Sequence, residues 1–129
     1  MCSVFVNKVG KAMKYMGSCH CRAVQFEFES EKLTEALQCN CSVCIRKNAI
    51  MSKQSFAGHA FTLLSGKDSL SIYHWGDCDV NHYFCKVCGI YPFHDTSYEP
   101  GCYRVNLGCV DGLDPRALVI TEFDGRNQL

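Results

Sequence analysis

Two pairs of cysteines more than sixty residues apart constrain this chain more than any other feature: Cys19-His20-Cys21 near the start and Cys85-Lys86-Val87-Cys88-Gly89 well past the middle. Each pair offers two ligand atoms at a spacing that suits one tetrahedral metal ion, and neither completes a site alone. A four-sulfur site joining them would staple the first strand to a distant hairpin, which helps a small β domain whose own core is modest. Between the pairs lies a third group, Gln38-Cys39-Asn40-Cys41-Ser42-Val43-Cys44-Ile45-Arg46-Lys47. Its three thiols can face one ion without distant help, yet they leave a four-coordinate zinc one ligand short. The expectation is therefore two zinc ions per chain. One is closed and structural, on Cys19, Cys21, Cys85 and Cys88; the other is open, on Cys39, Cys41 and Cys44. Spacing leaves other partitions open, including a triplet completed by one flanking pair, a sulfur-bridged cluster and an iron–sulfur centre.

Metal is preferred to disulfides because of the compartment the sequence suggests. Residues Met1 to Lys8 carry no long apolar core or small-residue cleavage site, and no later run is apolar enough to span a membrane. A reducing cytoplasm is the expectation, and there clustered cysteines bind metal more often than they pair. Of the eleven cysteines, Cys2, Cys78, Cys102 and Cys109 lack ligand spacing. Thirteen basic and thirteen acidic residues give a formal charge of zero. Seven thiolates on two divalent ions would add roughly three negative charges, which argues against direct binding to nucleic acid or an anionic membrane.

The length, 129 residues, fits one domain. Residues 1–15, with Lys8, Lys11 and Lys14 and little apolar periodicity, read as a loose or short helical lead-in, and 16–129 as the domain. Val24, Phe26 and Phe28 alternate with Gln25, Glu27 and Glu29, the period-two signature of a half-buried strand. Extending that parity upstream puts Cys19 and Cys21 on one face of an extended segment. Strand-like runs follow at 49–56, 60–64, 69–75, 81–84, 103–110 and 117–123, divided by turn signals such as Ser65-Gly66-Lys67 and Gly76-Asp77. No segment holds a long 3.6-residue stripe, so the fold is expected to be mainly β, with eight to ten short strands. The Cys41 to Cys44 half of the triplet suits a tight turn opening a helical turn through Lys47, and Gly89 stands where a zinc knuckle needs positive φ.

An open zinc site takes a water or a thiol as its fourth ligand and lowers its pKa. Three thiolates make the ion a poor Lewis acid, so activating a substrate thiol suits it better than polarising a carbonyl. Arg46 and Lys47, beside the triplet, are candidates for pairing with a substrate carboxylate. His59, His74, His82 and His94 read individually as packing or surface residues; His94-Asp95, just past the CxxC, is the most suggestive.

Gly17-Ser18-Cys19-His20-Cys21-Arg22-Ala23-Val24, Cys39-Asn40-Cys41-Ser42-Val43-Cys44 and Phe84-Cys85-Lys86-Val87-Cys88-Gly89 together resemble, in order and spacing, the glutathione-dependent formaldehyde-activating enzyme family. The run from Cys39 to Lys47 and the region from Phe84 through Val110 look like the branch containing centromere protein V. The resemblance covers nearly all of residues 16–124. It implies a β-tent fold of small antiparallel sheets, stapled by a structural zinc on Cys19, Cys21, Cys85 and Cys88, with a catalytic zinc on Cys39, Cys41 and Cys44. It also implies a carbon–sulfur lyase that joins glutathione, or another small thiol, to formaldehyde or a similar aldehyde as an S-hydroxymethyl adduct, or cleaves that adduct. The first motif of the family commonly continues CGAV, and Arg22 stands here in place of the glycine. Two competing readings keep the same fold: a zinc-stabilised module that binds a protein or chromatin partner, and a thiol redox sensor that uses the triplet.

Overall fold

The computed structural model describes residues 12–128. Eleven short strands form three small sheets, with two brief helices and three single turns of 3-10 helix. β1 (Met13–Ser18) and β2 (Gln25–Ser30) make an antiparallel hairpin, and β6 (Phe61–Ser65) pairs with the free edge of β2. β1 begins at Met13, so Met13 to Tyr15, expected in the lead-in, lie in a sheet; residues 1–11 fall outside the described residues. The second sheet has five strands in the order β5-β10-β9-β8-β7: β5 (Phe56–Ala57), β7 (Leu70–Tyr73), β8 (Val80–Cys85), β9 (Phe93–Thr96) and β10 (Cys102–Val105). The third consists of β3 (Glu35–Cys39), β4 (Met51–Ser52) and β11 (Val119–Phe123). All pairings are antiparallel except that of β11 with β3, which runs parallel and brings the last strand beside the triplet. The fold is thus the expected set of small sheets.

The alternation in β2 does what its sequence dictates. Val24, Phe26 and Phe28 are wholly buried, whereas Glu29 is exposed. Their rings meet the second sheet, which supplies Phe93 and Tyr103, while Phe61 arrives from β6. Phe61 stacks on Tyr103 at 4.6 Å between centroids, and Phe93 meets Phe61 edge-on at 5.2 Å. Such pairs add about 0.5–1.5 kcal/mol each beyond the area they bury. This aromatic layer is the core, and Cys19 and Cys85 of the first cysteine cluster are part of it.

Period two in β8 and β9 decides where the chemistry lies. His82 is directly opposite His94 in the ladder, and Arg104 of β10 is opposite His94 in turn. Residues two apart share a face. Tyr83, Phe93 and Tyr103 therefore turn to the aromatic core, while His82, His94 and Arg104 form a row on the other face, against the sheet that carries the triplet.

Candidate functional site

The first cluster forms where two turns meet. Cys19 to Val24 is the loop of the β1–β2 hairpin, closed by Cys19 N–H to the Val24 carbonyl at 3.0 Å. The extended geometry expected for this CxC is not what brings its sulfurs together: the chain reverses, with Arg22 at φ +69°. That conformation explains why glycine suits this position and arginine is strained there. The partner turn follows β8, where Gly89 adopts the expected positive φ of +81° and its N–H donates to the Cys85 carbonyl at 2.7 Å. The sulfurs of Cys19 and Cys21 are 3.6 Å apart, and those of Cys21 and Cys85 3.7 Å. A tetrahedral zinc with bonds of about 2.3 Å requires sulfur–sulfur edges of about 3.8 Å, and a disulfide about 2.05 Å, so the spacing fits a metal. Backbone N–H groups are also aimed at the sulfurs: Val24 at Cys19, and Val87 at Cys85, both at 3.4 Å. The amides of Cys21 and Ile90 lower the Cys88 thiol to about 6, the direction a thiolate ligand needs.

The second cluster is built from one strand end and one helical turn. Cys39 ends β3, Cys41 is the N-cap of α1 (Ser42–Lys47), and Cys44 sits in that helix. Their three sulfurs lie within 4.8 Å of one another, as do the four of the first cluster. Asn40, between two of them, fixes the segment to the chain's end. Its backbone N–H donates to the Phe123 carbonyl, its side-chain amide donates to Asp124 at 3.0 Å, and its oxygen accepts from Arg126 N–H at 2.8 Å. Burial works against a Cys41 thiolate, but amide hydrogen bonds from Cys44 and Val43 outweigh it and hold its pKa below the usual thiol value. Cys44 goes the other way, pushed up to about 12 chiefly by burial, against the pull of Lys47. The Lys47 ammonium donates to Cys44 Sγ at 3.4 Å and lies 4.2 Å above the Tyr91 ring.

The two clusters differ in what surrounds them. Beside the triplet opens a cavity of about 340 Å³, lined by Cys39, Cys41 and Cys44 and, across from them, by His82, His94 and Arg104. Leu37, Val43, Met51 and Phe123 give it apolar walls. A second cavity of about 440 Å³ adjoins it, sharing Cys41, Trp75, Val80 and Tyr98, and contains Arg46 and Arg126 with Asp77 and Asp79. Arg104 is held in place by Glu99 at 3.8 Å and by the carbonyls of Ser52 and Lys53, and Glu99 accepts from Ser55 at 2.5 Å.

Residues 14–122 match the protein family described as glutathione-dependent formaldehyde-activating enzyme. The chain belongs to that family. A crystal structure of a Rhodobacter sphaeroides protein superimposes on it with a TM-score of 0.72 at 33% sequence identity, covering 82% of this chain and 99% of that one. At the level of the family the chain is an enzyme of the glutathione- and formaldehyde-handling kind, and both cysteine clusters of this family member can hold metal. Among the described residues no helix is long and apolar enough to cross a membrane.

The two adjacent cations, read together from sequence, serve different places. Lys47 turns inward to Cys44 and Tyr91, whereas Arg46 lines the outer cavity and donates to the Ser42 carbonyl at 2.8 Å. His94, singled out in sequence, does face the triplet's cavity. His82, Arg104 and Arg126 join the site without having been singled out. The period-two pattern around Val80 and His82 offered a route to the first, once β8 is recognised as a strand facing β9. Nothing local marks Arg126, which reaches the site through Asn40.

Proposed function

We propose that this protein joins a small thiol, glutathione in the first instance, to formaldehyde or a similar small aldehyde, and cleaves the resulting S-hydroxymethyl adduct: a zinc-dependent carbon–sulfur lyase working in a reducing cytoplasm. On this reading Cys19, Cys21, Cys85 and Cys88 hold a structural zinc, and Cys39, Cys41 and Cys44 hold a second one at the reaction site. The observation that carries it is an asymmetry. Four thiols meet at a junction of turns, while three thiols at similar spacing line a cavity large enough for a small molecule. When bound by three thiolates, zinc supplies a fourth position at which a thiol loses its proton near neutral pH.

The chain supplies the rest. Glutathione carries two carboxylates and one ammonium group, and the outer cavity offers Arg46 and Arg126 for the former and Asp77 and Asp79 for the latter. Trp75 and Tyr98, shared by both cavities, can pack on the peptide between those charges while its sulfur enters the inner cavity. The apolar walls there offer water few partners, and water otherwise competes for the aldehyde. Lys47 offsets the charge of the triplet, because three thiolates and one divalent cation sum to minus one.

The test is exchange-detected NMR of glutathione and formaldehyde with their adduct, using the zinc-loaded full chain and Cys41→Ser. Acceleration by the wild type that is lost in Cys41→Ser supports the reading. No acceleration with glutathione, cysteine or another small thiol refutes it.

A further inference from the structure

Two histidines on the cavity wall opposite the triplet are joined through the hydroxyl of Tyr91 in a chain of hydrogen bonds. His82 Nδ1 is 2.5 Å from the Tyr91 hydroxyl, and that hydroxyl is 2.9 Å from His94 Nδ1. His82 Nε2 is, among the described residues, the one buried side-chain nitrogen or oxygen with no hydrogen-bond partner. His82 is 3% exposed and His94 9%, and both line the triplet's cavity. A buried polar atom without a partner costs about 1–3 kcal/mol, and His82 Nε2 carries that cost in a ring that lines the cavity.

The bonding of this chain fixes its chemistry. A phenol has one proton, so Tyr91 donates to one imidazole and accepts from the other. The imidazole that donates through Nδ1 leaves a lone pair on its Nε2; the one that accepts through Nδ1 keeps its proton on Nε2. Two neutral histidines in this arrangement, both lining the same cavity, therefore carry one acceptor and one donor at their Nε2 atoms. Taking a proton at the bare Nε2, passing one onto the Tyr91 oxygen and one off it, and releasing the proton of the other Nε2 exchanges those roles and leaves both rings neutral. Burial and the nearby Lys47 ammonium keep both imidazoles neutral, lowering His82 to about 4 and His94 well below its usual value.

We propose that His82 and His94, bridged by Tyr91, are the proton relay of the thiol–aldehyde reaction, an inference that rests on the function proposed above. In the forward direction the acceptor imidazole takes the thiol proton. The sulfur lone pair forms the carbon–sulfur bond, the C=O π pair moves onto oxygen, and the donor imidazole gives that oxygen its proton. The relay passes one proton through Tyr91, so thiol plus aldehyde becomes the hydroxymethyl thioether with nothing oxidised or reduced. Cleavage runs the same transfers backwards, and exchange with cavity water resets the tautomers. His82 and His94 are catalytic residues in this scheme and Tyr91 is a positioning residue.

Three variants of the zinc-loaded full chain test this: Tyr91→Phe, His82→Gln and His94→Gln. Long-range ¹H–¹⁵N spectra of the wild type at pH 7 should show these two histidines neutral, one protonated at Nδ1 and the other at Nε2, with the histidine variants assigning the signals. In Tyr91→Phe the opposed pair should be lost. Each variant should lower kcat about 10²- to 10⁴-fold, the range of general acid–base catalysis, with KM and zinc content little changed and the wild-type solvent deuterium isotope effect abolished in Tyr91→Phe. Like tautomers in the wild type, a charged histidine at pH 7, or an unimpaired Tyr91→Phe would each overturn the relay while leaving the proposed reaction standing. A wild type that does not accelerate the reaction overturns that function and the relay's role with it, whatever the tautomers. Should Tyr91→Phe fail to fold, the wild-type spectrum and the kcat of the two histidine variants decide the matter: unimpaired kcat in both overturns the relay.

Discussion

Replacing Lys47 by methionine keeps an unbranched apolar side chain of similar length and removes the ammonium that lies over Tyr91 and donates to Cys44. In the wild type the ammonium lies 3.4 Å from Cys44 Sγ. At that distance two unit charges attract by about 5 kcal/mol in an effective dielectric of about 20. A metal-bound sulfur carries only part of a charge and the ammonium gives up hydration to reach it, so the net value falls to the range of groups that hydrogen-bond a metal's ligands, about 10- to 100-fold in affinity. Lys47→Met should weaken zinc at the triplet by that factor at pH 7 in competition with a chromophoric chelator. The four-cysteine site should be unaffected, because its ligands come from the β1–β2 loop and the turn after β8, whereas Lys47 is engaged with Cys44 and Tyr91. A triplet affinity within about twofold of wild type, or equal weakening of both sites, would refute the electrostatic role assigned to Lys47.

Two further outcomes follow from the same geometry. Gly66 has φ +92°, and a β-carbon there would lie 2.2 Å from the Ala23 carbonyl oxygen and 2.6 Å from Val24 Cα. Gly66→Ala should therefore cost at least about 2–3 kcal/mol and lower Tm by about 8–12 °C; a melt within about 2 °C of wild type would mean that the β6 turn does not brace the first cysteine hairpin. His82 titrates near 4 in the folded chain and near its ordinary 6.5 when unfolded, so the unfolded state takes up its proton first as the pH falls. Stability from this group is complete above 6.5 and declines towards 4. Tm of the wild type should thus fall more steeply than that of His82→Gln over this window, with metal release common to both; parallel slopes would contradict the buried neutral imidazole.

The alternation of Val24, Phe26 and Phe28 was enough to place β2, and the cysteine spacings brought the division into four and three into view among other partitions, because both depend on short-range periodicity or on ligand count. What escaped depends on distant chain. Glu35 to Cys39 has no clean alternation to mark a strand; it becomes β3 by pairing in parallel with Val119–Phe123, a contact no local pattern encodes. Phe93–Thr96 was hidden for a similar reason: its period-two faces, Phe93 and Asp95 against His94 and Thr96, divide between core and cavity only once β8 and β10 flank it. The histidines looked isolated because they are twelve residues apart, and the ladder that sets them opposite each other lies in the pairing. Arg22 shows the converse. Its departure from glycine was visible in the motif, but the strained φ that gives the departure meaning is a property of the loop.

Zinc per chain, measured on the wild type, Cys41→Ser and Cys88→Ser purified under reducing conditions, tests most directly the division into a structural and a reactive site. Two zinc ions in the wild type, one in a folded Cys41→Ser, and loss of cooperative folding in Cys88→Ser are the predicted result. One zinc ion in both the wild type and Cys41→Ser, or equal loss of folding in the two variants, would contradict an open second site at Cys39, Cys41 and Cys44.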